Sequence, residues 1–508
     1  MVEERSKSRL HALKPIIERW PAVARPEGHV TFRTKLFWTV LCLIIYFILT
    51  KIMIFGLSSG AVDMFAGFRA IMAGASGSIV HLGIGPIVTA SIILQLFVGA
   101  KIINLDLTKA EDKMIYQGTQ KILIIIMILV EAIPQVFGYL QPSDSFKDMV
   151  GMDMARALIV LQLFMGALIV YLMDELISKW GIGSGVSMFI AAGVSEAIVT
   201  GLFNWLPTNP KMPLSTMNPP AGLIPGTYYL ASHYSLSEIV NGGFERIFLL
   251  QVNPIVALLG TIAIFLFVVY AESSRIELPL AHGLARGARG RYPIRLIYAS
   301  NIPVILMSAL LANINMFALL LYKNKNIPLL GGQWWIGKYP EGFSHPTMGA
   351  VWYLSPLGGL RGWLLPMFGY HGQTAHEPWQ YALHFIIYFS IYVFGSILFA
   401  KFWIETTDMG PAAIARQIQQ SDMHIPGFRR DPRILRKILE RYIPAVTVIG
   451  GATVGALAAF ADAIGTIGRT SGTGVLLMVG ILIRLYEDIA REQAMEMHPV
   501  LRQFFGKT

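Results

Sequence analysis

The sequence predicts an all-α, polytopic membrane protein, and three observations carry that prediction. Hydrophobic residues make up 54% of the 508-residue chain while charged residues make up 14%, about half the usual share of a soluble domain. Mean hydropathy is +0.55. Uncharged stretches recur over 70–100, 247–271, 296–322, 378–400 and 442–461, each close to the roughly 20 residues a helix needs to cross about 30 Å of hydrocarbon. Segments of alternating polarity are absent, which argues against an outer-membrane barrel.

Apolar runs between charge clusters place ten spanning helices. The first five are expected at Lys35–Phe55, Ser78–Gly99, Met114–Pro134, Ala155–Met173 and Gly183–Phe203. The second five are expected at Ile247–Tyr270, Arg295–Leu319, Gln380–Phe402, Tyr442–Phe460 and Gly472–Asp488. Helices three and five are interrupted by Glu131 and Glu196. An even count puts both termini on one side. Five is odd, so a repeated five-helix unit would insert with opposite polarity in the two halves. The resulting organisation is a cytoplasmic amphipathic segment 1–34, a first half 35–205, an external hinge 206–246, a second half 247–488 and a tail 489–508.

Basic residues give the orientation. Arg5, Lys7, Arg9, Lys14, Arg19, Arg25 and Arg33 precede the first helix, and Lys101, Lys109 and Lys113 follow the second. Arg275, Arg286, Arg289, Arg291 and Arg295 follow the sixth, and Arg416, Arg429, Arg430, Arg433, Arg436, Lys437 and Arg441 follow the eighth. This face takes most of the 41 Lys and Arg residues and should be cytoplasmic. Leu10, Leu13, Ile16, Ile17 and Trp20 suit an amphipathic helix lying at the membrane surface. The basic loops 272–294 and 403–441 are large enough to project and meet something acidic, with nucleic acid in a ribosome one candidate. Loop 403–441 also has a helical pattern over 412–420 and a turn at Pro426–Gly427.

The N-terminus is polar and basic, with no apolar core before Leu36, and does not read as a cleavable signal peptide. The single cysteine, Cys42, excludes an intrachain disulfide and a cysteine-based metal site. His345, His371 and His376 match no metal-ligand spacing, so no metal or other cofactor is expected.

The segment following the first helix is unusual. Ala61–Ala73 is too short to cross, carries Asp63 and Arg69, and ends at the flexible run Gly74–Gly77. It reads as a half-helix dipping in from outside, which requires a cavity within the bundle. Gly83–Ile87 then places Pro86 where an uninterrupted helix would lose a backbone bond.

These residues carry a resemblance to a known family. The run 83–90 (GIGPIVTA), the runs Tyr292–Arg295 and Ser300–Pro303, and the run 472–477 (GTGVLL) are similar to the SecY/Sec61 alpha family, the channel-forming subunit of the protein translocase. Pro279–Gly283 resembles its archaeal form. The resemblance spans essentially the whole chain. It implies a protein-conducting channel, not an enzyme, with two pseudo-symmetric halves around a central pore in the cell membrane. Secretory polypeptides would cross through it, and transmembrane segments would leave it sideways into lipid.

By position, the family's pore ring would fall on Ile84, Val88, Val186, Ile190, Ile305 and Leu477, with Val186 standing where isoleucine is usual. A constriction without polar groups dewets and bars ions. The plug would be 61–73, with Asp63, Met64, Phe65, Phe68 and Arg69. Helices two, three, seven and eight would form a lateral gate, with Gln95, Gln135 and Asn313 as polar contacts. Arg286, Arg289, Arg429 and Arg430 would meet the ribosome, where the planar guanidinium suits phosphate. Implied partners are a SecE/Sec61 gamma-like small subunit, a Sec beta-like small subunit, the ribosome, the signal-recognition-particle receptor, signal peptides and nascent polypeptides, and membrane lipids. The long external loop 323–379 receives no role.

The competing reading is a secondary transporter with inverted repeats, which needs an ionisable site near the membrane midplane. Glu131 and Glu196 are its best candidates, whereas Asp174, Glu175 and Glu272 lie near cytoplasmic helix ends. No HExxH or P-loop signature supports an enzyme.

Overall fold

The computed structural model describes residues 9–19, 22–28, 30–58, 71–105, 109–209, 211–282, 289–297, 301–323, 331–340, 345–369, 376–407, 409–420, 423–424, 432–469 and 471–497. The main helices of the first half are α1 (Phe32–Lys51), α2 (Gly85–Gly99), α3 (Ala110–Gly138), α4 (Met152–Trp180) and α5 (Gly185–Phe203). Those of the second half are α6 (Ile255–Ser273), α7 (Ile302–Lys323), α8 (Pro378–Thr406), α9 (Pro432–Ile464) and α10 (Gly472–Met497). Among the described residues, eight helices are long and apolar enough to cross a membrane, namely all of these except α2 and α10.

Burial grades these helices from the lipid inward. Only 17% of the most apolar stretch of α1 is buried, and Leu36, Phe37, Val40, Ile44 and Ile48 face outward. The corresponding share of α7 is 72%, so α7 runs through the middle of the bundle. A helix that apolar on every side must be surrounded by protein or by lipid, and α7 has protein around it.

Several boundaries depart from the expectations. The expected helix from Ser78 begins at Gly85, and residues 78–84 are turns whose side chains Ser78, Val80, His81, Leu82 and Ile84 are buried. Pro86 thus stands in the first turn of α2, where a missing N–H costs no helical bond. The helix expected from Arg295 begins at Ile302, because Arg295 closes a β-hairpin instead. The expected crossing Tyr442–Phe460 is the inner part of the 33-residue α9, which at about 1.5 Å per residue is about 50 Å long and outruns the bilayer. The half-helix expected at 61–73 falls outside the described residues except Ile71–Ala73, which form a turn.

The expectation of an all-α chain misses a small three-stranded sheet. Strand β1 (Arg275–His282) pairs antiparallel with β2 (Arg289–Arg295), Arg275 facing Arg295 and Ala281 facing Arg289. The two-residue β3 (Met423–His424) adds to the other edge of β1, Ala281 opposite His424. Two loops far apart in sequence, 272–294 and 403–441, therefore share one sheet. The helical pattern in the second loop appears as Pro411–Gln420, whose Ile414, Ala415 and Ile418 pack on Leu435, Leu439 and Ile443 of α9.

The N-terminal arm is bonded to the bundle rather than lying free on the membrane. It forms a 3₁₀ turn Arg9–Leu13 and a helical turn Lys14–Glu18 beside α3, with His11 and Lys14 at 3.2 and 3.6 Å from Asp112 and Glu111. Farther along, Glu175 accepts from the Val23 N–H at 3.2 Å and Trp180 Nε1 donates to the Ala24 carbonyl at 2.8 Å. The region 206–246, expected as a hinge or linker, contains the helix Leu223–His233, and Leu223 packs with Ala257 and Ile467. The described parts of the loop 323–379 are likewise bonded to the bundle. Tyr339 Oη donates to the Asn315 carbonyl at 3.1 Å, and Trp363 Nε1 donates to the Ala463 carbonyl at 2.9 Å.

Candidate functional site

The site begins where α2 begins. Gly83 has φ +56°, and a Cβ there would lie 2.1 Å from the Met72 carbonyl oxygen. That oxygen instead accepts the Ile84 N–H at 2.8 Å, so only glycine lets the turn Ile71–Ala73 close against the head of α2. Tyr46 Oη on α1 donates to the Ala73 carbonyl at 2.9 Å and holds the same turn from the other side.

Directly beneath it, Ile84 and, on α2, Gly85 and Val88 meet Ile305, Ser308 and Ala309 of α7 around a cavity capped by Ile71 and Met72. Its volume is about 10 Å³, room for roughly one water. Three of the six expected ring residues, Ile84, Val88 and Ile305, thus share one wall. Ile190 of α5 and Leu477 of α10 are fully buried in the same core, and Val186 is half-buried against it, but none of these three lines the cavity.

A polar seam runs beside this constriction between α2, α3 and α7. The Thr89 hydroxyl accepts from Asn313 Nδ2 at 2.9 Å and lies 2.7 Å from Glu131 Oε1, to which it can donate. All three side chains are buried. A second chain of bonds lies near the C-terminal end of α3. The Gly77 N–H donates to His81 Nδ1 at 3.0 Å, which leaves the ring proton on Nε2 to donate to Tyr139 Oη at 2.8 Å. Tyr139 donates to Gln135 Oε1 at 2.8 Å, and Gln135 Nε2 reaches Met316 Sδ of α7 at 3.8 Å.

Of the expected gate residues, Asn313 and Gln135 stand in these two networks. Gln95 is buried, and its Oε1 has no hydrogen-bond partner among the described residues. Sequence alone does not single out Thr89, His81 or Tyr139 here, and it weighs Glu131 only as a transporter-like residue. The available signal was spacing: Glu131 and Gln135 are four apart on one face of α3, and Thr89 sits inside the run 83–90.

The other candidate residues are readily placed. Asp63, Met64, Phe65, Phe68 and Arg69 lie outside the described residues, as do Arg286, Arg429, Arg430 and His371. Arg289 opens β2. Glu196 pairs with Lys51 at 2.5 Å, a partly exposed contact. Asp174 Oδ1 accepts the Val186 N–H at 2.8 Å at the head of α5. Among the described residues no group of three or more His, Cys, Asp or Glu side chains could hold a metal. His376 is occupied, with Nε2 2.8 Å from the Thr347 carbonyl and its ring stacked on Trp352.

A family model described as SecY matches residues 78–486. The chain belongs to the SecY family. A second model, the plug domain of Sec61p, matches residues 44–77. The protein translocase subunit SecY of Archaeoglobus fulgidus is 46% identical over 98% of this chain and 99% of its own length. A solved structure described as a protein conducting channel is 37% identical, covers 96% of this chain and 98% of its own, and superposes with a TM-score of 0.75. Sec61 in the canine ribosome-channel complex from the endoplasmic reticulum is also 37% identical over the same shares, with a TM-score of 0.72.

Membership makes the chain an archaeal-type, non-catalytic, channel-forming subunit of the protein translocase, which conducts polypeptides across the membrane. The transporter reading falls with it, and the structure gives its two suspects other work. Glu196 sits in a partly exposed ion pair, and Glu131 is bonded into the seam between helices.

Proposed function

We propose that this chain forms a pore sealed by an aliphatic constriction and a plug, and that it opens sideways along the seam between α2, α3 and α7. The observation that carries this is the cavity itself. Ile84, Val88 and Ile305 converge at its wall, directly under the turn Ile71–Ala73, which lies within the stretch 44–77 that matches the plug-domain model. Such a wall offers a hydrated ion no replacement ligands, while its soft side chains can part around an extended polypeptide. Val186, Ile190 and Leu477 complete the ring as the helices shift, and 61–73, with Asp63, Met64, Phe65, Phe68 and Arg69, closes it from outside.

Ten crossings follow if α2 and α10 also span. At about 1.5 Å per residue the 15-residue α2 covers about 22 Å of the roughly 30 Å required. The buried turns 78–84 supply the remainder, which is tolerable for irregular backbone only inside protein. Two inverted halves, 35–205 and 247–488, would then flank the pore, with both termini cytoplasmic as the basic loops demand. On that face Arg286, Arg289, Arg429 and Arg430 would meet ribosomal RNA. The pairing of β3 with β1 brings the two loops that carry them together, and the canine relative is described in a ribosome-channel complex. A SecE/Sec61 gamma-like subunit, a Sec beta-like subunit and the signal-recognition-particle receptor complete the expected partners.

The test is ion conductance of the purified complex in planar bilayers, with and without residues 61–73. A quiet wild type and frequent large openings after deletion are expected. Silence from both proteins, once insertion and translocation competence are verified, would overturn the plug.

A further inference from the structure

Asp462 lies in the last turn of α9, buried, with three neutral donors converging on its carboxyl group. Oδ1 accepts the Thr473 N–H at 3.0 Å, and Oδ2 accepts the Thr473 hydroxyl at 2.8 Å and the Tyr388 hydroxyl at 2.7 Å. Its partners sit on α10 and α8, so one side chain joins three helices. The approach of α10 to α9 is close enough that a Cβ on Gly472 would fall 2.0 Å from the Ala461 carbonyl carbon. The external loop braces the same turn, because the Gly359 N–H donates to the Asp462 carbonyl at 3.0 Å.

Both pore-ring residues of the second half depend on this joint. Thr473 precedes Leu477 by four residues, about one helical turn. On α8, Tyr388 packs on Tyr392 with ring centroids 4.8 Å apart, and Tyr392 Oη lies 3.0 Å from Ser308 Oγ of α7. Ser308 lines the cavity beside Ile305. Leu477 and Ile305 are therefore each held within a turn of a residue in one buried network.

We propose that Asp462 is a positioning residue for the pore constriction. Through Thr473 it sets the height of α10, and through Tyr388 and Tyr392 it supports the position of α7. It thereby sets the aperture that discriminates a polypeptide with a competent signal from ions and from chains with a defective one. This rests on the ring reading above, which it deepens. The role needs hydrogen bonds of the right shape rather than charge. Asparagine keeps the shape: its oxygen accepts the Thr473 N–H, and its NH₂ donates to the two hydroxyls, which rotate to accept. Leucine keeps the volume and loses every bond.

The test uses membranes containing the whole translocase. It reads two quantities: resting ion leak, and the ratio of signal-defective to intact precursor translocated. Asp462→Leu should raise that ratio by about tenfold, and Tyr388→Phe, which removes one bond and no volume, by about threefold. Asp462→Asn should stay within about twofold of wild type. A merely structural residue would lower the amount of complex without moving the ratio. Ile305→Ser, in the wall itself, separates the two claims. If it leaks and relaxes selectivity while Asp462→Leu and Tyr388→Phe do neither, the positioning role is overturned and the ring stands. If Ile305→Ser changes nothing, the ring reading itself is lost. Should Asp462→Leu fail to assemble, Tyr388→Phe decides alone.

Discussion

The side-chain amide of Asn313 donates to the hydroxyl of Thr89 across 2.9 Å, tying the central helix α7 to α2. The same hydroxyl lies 2.7 Å from Glu131 on α3, so one oxygen is the hub of a three-helix contact.

Removing that hub while keeping its shape should loosen the seam. Thr89→Val strands two buried polar groups, a loss of about 1–3 kcal/mol in the closed state. The open population, followed by the distance between spin labels on α2 and α7, should rise roughly tenfold. Replacing Thr89, Glu131 and Asn313 together by apolar residues should return the gate to closed, since no polar group is then left unpaired. An open gate in the triple variant would count against this account.

Gly83→Ala should make the resting channel leak. The new methyl group would meet the Met72 carbonyl, and the positive φ adds about 1–2 kcal/mol for a residue with a Cβ. The turn that caps the cavity must then lift. Single-channel recordings should show openings that wild type lacks, and a quiet Gly83→Ala would remove the turn from the seal.

Glu196→Gln should leave translocation unchanged. The carboxylate is 30% exposed and its Lys51 partner 71% exposed. Pairs of this kind contribute about 0–1 kcal/mol. Equal rates of precursor transport in the variant and wild type are expected, whereas a proton- or ion-coupled carrier would lose flux.

Glu175→Ala should free the N-terminal arm. That carboxylate binds Lys121 and Lys179 and accepts the Val23 N–H. Limited proteolysis after Arg19 or Arg25 should accelerate severalfold, with the helical bundle still resistant. Unchanged cleavage would show that Trp180 and the contacts of His11 and Lys14 suffice.

Much of the site was readable as residue types in order along the chain. Ile84, Val88 and Ile305 could be named because the runs around them are long and specific, and Asn313 because its position matches the family that those runs resemble. Glu131 was misjudged for an intelligible reason. An acidic residue in an apolar run looks like an ion site until the helix beside it is known, and Thr89 is an ordinary small residue until Asn313 and Glu131 are placed around it. The strands β1 and β2 were missed because charged and proline-containing segments such as Arg289–Arg295 lack the apolar alternation by which a half-buried strand is recognised. Their pairing satisfies backbone groups without needing that pattern.

The sequence alone determined that this protein lives in a membrane, that it carries many long apolar helices, and which family's channel it resembles. Those properties follow from hydropathy over about 20 residues, from charge bias between helices, and from contiguous motifs, all of which are local. Only the tertiary structure decided that α2 starts at Gly85 under a glycine-dependent turn, that Glu131 belongs to a seam and Glu196 to a surface pair, and that Asp462 stands behind Leu477 and Ile305. Each of these depends on which helices are neighbours. Lipid is as apolar as a leucine side chain, so hydropathy cannot say whether a helix faces lipid or protein; close packing and the pairing of buried polar groups decide it.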